Sequence, residues 1–92
     1  MLINEAFAKF RVEMMAKMKT NEFKHGPRSL WHESVREIYP KPWSLMGKMQ
    51  EEIGEFLGED AGTPGQSAEA VDVANMMFLQ WWWNQEQSHD QA

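Results

Sequence analysis

Residues 44–83 read SLMGKMQEEIGEFLGEDAGTPGQSAEAVDVANMMFLQWWW, two helix-like runs separated by Ala61-Gly62-Thr63-Pro64-Gly65. Glycine and proline at that density punctuate a chain. Neither flank alternates apolar with polar residues as a half-buried strand does. The first run predicts a helix from Ser44, as its N-cap, to about Glu59. The second predicts a helix capped by Ser67, with Glu69 in its first turn, ending at Trp83 before a polar and flexible tail, residues 84–92. At about 100° per residue, Leu45, Met49, Glu52, Phe56 and Glu59 form one stripe of the first helix. Glu69, Asp72, Met76, Leu79 and Trp83 form one stripe of the second. So short a turn makes the two helices antiparallel neighbours.

Upstream, Phe7, Phe10, Met14 and Met18 recur at helical spacing, with Lys9, Lys17 and Lys19 among the interleaved polar positions, and predict a helix over about Asn4 to Lys19. Gly26-Pro27 and Pro40-Lys41-Pro42 break the connection after it, and residues 30–38 between them read as a short helix capped by Ser29. The expected fold is all-α, an antiparallel helical bundle in a single domain over residues 1–83.

The apolar seams carry acids. From Ala68 to Trp83 the only charged residues are Glu69 and Asp72, and both lie on the stripe that should face the core. Glu52 and Asp72 are equidistant from the centre of the turn, as are Glu55 and Glu69, so an antiparallel pairing gathers these four carboxylates into one layer. Glu51 points away from it. At an effective dielectric of about 20, each close like-charge pair costs on the order of 3 kcal/mol, and several such pairs rival a domain stability of roughly 5–15 kcal/mol. Protonation or a bound cation must offset them. The ligands are hard oxygens, and no histidine stands three or four residues away as in di-iron bundles, so Mg²⁺ or Mn²⁺ fits best. Residues 59–65 lack the alternating oxygen ligands of a calcium loop. Because Mg²⁺ keeps waters and is completed by substrate phosphates, such a cage points to phosphate-ester or phosphoanhydride chemistry.

Composition narrows the field. In 92 residues there is no cysteine, which excludes disulfides, thiolate metal sites and a thiol nucleophile. No apolar run is long enough to cross a bilayer, and the first residues lack the pattern of a signal peptide, so a soluble protein of the cytoplasm, with no membrane partner, is expected. The net charge is −5, which argues against a nucleic-acid partner. All nine Lys and Arg lie at or before Lys48 and nine of the fourteen acids come after it, so residues 1–48 carry +4 and residues 49–92 carry −9.

Glu51-Glu52-Ile53-Gly54-Glu55 followed by Glu69-Ala70-Val71-Asp72 resembles the EExxE…ExxD signature of the MazG-like, all-α nucleoside triphosphate pyrophosphohydrolases. Residues 72–77, DVANMM, are similar to a stretch found in many small members of that family. The likeness is strongest over residues 44–80. Upstream it is loose, carried by a helix, a Lys24-His25-Gly26 loop and Trp31. The resemblance implies hydrolysis of a nucleoside triphosphate to the monophosphate and pyrophosphate. It implies Glu52, Glu55, Glu69 and Asp72 as Mg²⁺ ligands (Mn²⁺ being the alternative), with Glu52 or Glu55 also orienting or deprotonating the attacking water. A glycine-rich GxxxxGK phosphate loop is absent. The competing expectation is a non-catalytic helical interaction module that keeps a structural cation.

Lys24, Arg28, Arg36, Lys41 and Lys48 come from the region that should pass near the acids. Lys48, four residues before Glu52, and Lys24 are candidate phosphate ligands. Asn75, one turn beyond Asp72, is a candidate for hydrogen bonding to base or sugar. His25, His32 and His89 have no metal-site spacing. Trp81-Trp82-Trp83 spans about 200° of helix surface. In so short a chain that arc predicts an oligomer, a homodimer or homotetramer, which completes the fold.

Overall fold

The computed structural model describes residues 1–21, 39 and 41–91, the side chains of 19–21, 42 and 87–91 excepted. The described residues form three helices and no strand: α1 (Ile3–Asn21), α2 (Pro42–Gly58) and α3 (Pro64–Gln91). The described residues are therefore all-α. The short helix expected over 30–38 lies outside the described residues, as do Lys24, His25, Arg28, His32 and Arg36.

Only residues 59–63 separate α2 from α3, and the two helices pack on each other, so they run in opposite directions. Their stripes meet as the periodicity predicts. Leu45 and Met49 of α2 are buried with Met76 and Leu79 of α3, joined by Met18 of α1 and by Tyr39. Met15, Ile53, Phe78, Trp82 and Trp83 flank this core. α1 also packs on α3, yet among the described residues no Cα of α1 lies within 8 Å of one in α2. The predicted face of α1 is covered only at its C-terminal end: Met18 is buried, Phe10 and Met14 are half-buried, and Phe7 is exposed.

Three expectations need correction. The first concerns Ser44, which is the third residue of α2 and not its N-cap. Pro42 takes the first helical position, where its missing N–H costs nothing. The Ser44 hydroxyl turns back to Lys41, donating to its carbonyl at 2.6 Å and accepting its N–H at 3.4 Å. The second concerns α3, which starts before Ser67. The Thr63 hydroxyl accepts the Gln66 N–H at 3.2 Å, and the Gln66 side chain accepts the Gly62 N–H at 2.9 Å. This is a Thr-x-x-Gln capping arrangement that satisfies N–H groups the helix leaves open. Gly62 has φ +80°, which a side chain would strain. At its other end α3 continues beyond Trp83 to Gln91, so the polar residues 84–91 are helical. The third concerns the tryptophans, which do not form one exposed arc. Trp82 and Trp83 pack against the core, with the Trp82 indole N–H donating to Glu86 at 3.1 Å, and only Trp81 is exposed.

Candidate functional site

The acids of the seam converge where α2 crosses α3. Glu52 of α2 and Glu69 and Asp72 of α3 each offer a carboxylate oxygen, and the three oxygens lie within 4.8 Å of one another. Glu52 is buried, held inside by the apolar stripe it shares with Leu45 and Met49, while Glu69 and Asp72 are half-buried. Glu55, one turn along α2, is exposed and outside this group of three; Glu51 is exposed as well. The layer expected from four acids is thus a cluster of three, with Glu55 at its edge.

Two lysines reach the cluster. Lys48 lies 3.1 Å from Glu52 Oε1 and 3.4 Å from Glu51 Oε1, on the side of α2 that its spacing predicts. Lys17 of α1 donates to Asp72 Oδ1 at 2.9 Å and to the Ala68 carbonyl at 3.1 Å. Sequence reading missed Lys17 as a site residue. The signal was present, because Lys17 lies three positions after Met14 and so belongs on the packed face of α1.

The electrostatics are uneven. Burial pushes the Glu52 carboxyl above its ordinary value, against the opposing pull of Lys48. The hydrogen bond to Glu52 pushes Lys48 up as well, to about 12. Burial therefore outweighs pairing at Glu52, and pairing outweighs burial at Lys48. Three buried oxygens have no hydrogen-bond partner among the described residues: Glu52 Oε2, Glu69 Oε2 and Asn75 Oδ1. Asn75 is only 6% exposed. Its amide donates to the Met14 carbonyl at 3.3 Å, so one half of the side chain ties α3 to α1 and the other is unmatched. Buried polar atoms without partners are costly.

Lys17, Met18, Lys48, Glu52, Asp72, Asn75 and Met76 line a cavity of about 380 Å³. A divalent cation suits this donor set. The oxygens are hard, two of the acids carry unmatched ones, and all three acids offer an oxygen within 4.8 Å of the others. Of the expected site residues, Glu52, Glu69, Asp72, Lys48 and Asn75 are brought to one place, Glu55 stands beside it, and Lys24 lies outside the described residues. No family model matches the chain, and no curated protein or solved structure matches it.

Proposed function

We propose that this protein is a divalent-cation-dependent hydrolase of nucleoside triphosphates, releasing the monophosphate and pyrophosphate, with a MazG-like helical fold completed by a second copy of the chain. The observation that carries this reading is the convergence of Glu52, Glu69 and Asp72 with unmatched buried oxygens on two of them. The four-acid signature supports it independently. Glu52, Glu69 and Asp72 would hold Mg²⁺ or Mn²⁺, which when bound would supply charge compensation and Lewis acidity for phosphoanhydride cleavage. Glu55, exposed one turn from Glu52, orients a water and takes its proton as the water oxygen attacks phosphorus. The α–β anhydride breaks and pyrophosphate leaves. Lys48 and Asn75 face the same cavity, Lys48 toward phosphate and Asn75 toward base or sugar.

One observation favours a second reading, a non-catalytic helical module: Lys17 and Lys48 already compensate part of the acidic charge. A panel of nucleoside triphosphates assayed for pyrophosphate release, with and without Mg²⁺, separates the two. The hydrolase reading expects release that requires metal and is lost in Asp72→Asn. Absence of release from every triphosphate with either Mg²⁺ or Mn²⁺ establishes the second reading in its place.

A further inference from the structure

The two lysines stand where a cation would compete with them. Lys17 Nζ lies 2.9 Å from Asp72 Oδ1, and Lys48 Nζ lies 3.1 Å from Glu52 Oε1. Each ammonium therefore engages an oxygen of an acid in the cluster. Both side chains keep a route outward, since they are 39% and 36% exposed and line the same cavity as the acids. A four-carbon stem changes rotamer at small cost. The unmatched oxygens of Glu52, Glu69 and Asn75 mark a site that the lysines do not fully satisfy.

The cation adds positive charge where it is short. Counting Glu51 beside Lys48 and Glu55 at the edge, five carboxylates and two ammoniums leave the site at −3, and one divalent cation takes it to −1. We propose that Lys17 and Lys48 are resident counter-ions which a divalent cation displaces from Asp72 and Glu52, and which then bind a polyphosphate chain. The inference rests on the cation site of the proposed function and adds an order of events to it. Without the cation the cavity repels polyanions; with it, the repulsion falls and the two released ammoniums attract them. Linkage makes the effect reciprocal, so the polyanion strengthens cation binding by the same factor.

The test uses Mn²⁺ alone, titrated by calorimetry, and then labelled tripolyphosphate in equilibrium dialysis against Mn²⁺-saturated protein. Removing a competitor should tighten Mn²⁺ binding, so Lys17→Met and Lys48→Met are each expected to bind Mn²⁺ up to about fivefold more tightly than wild type, the factor an ion pair of this exposure carries. Lys9→Met removes the same charge from an exposed position about 12 Å along α1 and should leave Mn²⁺ affinity unchanged. With Mn²⁺ saturating, both lysine variants should bind tripolyphosphate about tenfold more weakly, within the usual range of coupling between sites. If they bind Mn²⁺ no more tightly than Lys9→Met, the exchange is wrong while the cation site stands. If wild type and all variants ignore Mn²⁺, the cation site fails and the exchange with it. Lys48→Met lies on a different helix and decides the matter should Lys17→Met fail to fold.

Discussion

Glu52 is the residue at which the fold and the chemistry oppose each other. Its position in the α2 stripe buries it, and burial raises its carboxyl above the ordinary 4.5, so the folded protein takes up a proton there at a higher pH than the unfolded chain does. Through this group, stability rises as pH falls from neutral toward 4.5 and gains nothing further below it. In chelator, the urea midpoint of wild type relative to Glu52→Gln should increase between pH 7 and pH 5, and a flat difference would contradict it. Lys48 acts at the other end of the scale. Its contribution is complete below 10.5 and disappears as pH rises through about 12. The proposed hydrolysis divides the acids differently: on that reading Glu55→Gln should lower kcat by about 10²-fold or more as a lost base while Mn²⁺ affinity holds, whereas Asp72→Asn should lose both. Glu51→Gln should change neither. Most of this site was legible in spacing, because Glu69 and Asp72 lie on the packed seam of α3 and are the only charged residues from Ala68 to Trp83. For Lys17 the spacing after Met14 gave the face but not the partner, since Asp72 is reached only by the docking of α1, a contact between residues far apart in sequence.

The helices owe their boundaries to a few polar atoms. Thr63 caps α3 and Gln66 reaches back to Gly62, so Thr63→Ala should cost about 1 kcal/mol of apo stability in urea unfolding. Gly62→Ala should cost about the same or more, because φ +80° disfavours any Cβ. Ser67→Ala, at the position that reads as a cap from sequence alone, should cost clearly less. Apolar period located all three described helices. Their ends were harder to read, because Thr63-x-x-Gln66 and Ser67-x-Glu69 are competing N-terminal signals four residues apart, and Pro64 at the first helical position decides for the earlier one. The far end of α3 was misread because polar residues 84–91 have no apolar stripe to reveal a helix continuing from the packed turns before them.

The molecule leaves large apolar side chains uncovered. Phe7 and Val12 on α1, Trp43, Leu57 and Trp81 are each more than half exposed. A second copy covering some of them is expected, with a mass by light scattering above the 10.8 kDa of one chain at high micromolar concentration and a smaller mass for Trp81→Gln. A wild type that stays at 10.8 kDa would defeat the interface. Connectivity has a kinetic consequence of its own. Between α2 and α3 the chain closes a loop of only five residues, while Lys17 meets Asp72 across 55 positions. Closure entropy grows with loop length, so the hairpin is expected to assemble first, with Glu52, Glu69 and Asp72 facing one another beside Lys48 but without Lys17. Millimolar Mn²⁺ should therefore accelerate refolding in stopped-flow experiments, and Asp72→Asn should refold quickly without it. The nascent hairpin is the species whose carboxylates are least compensated, and so the one a cation should help most.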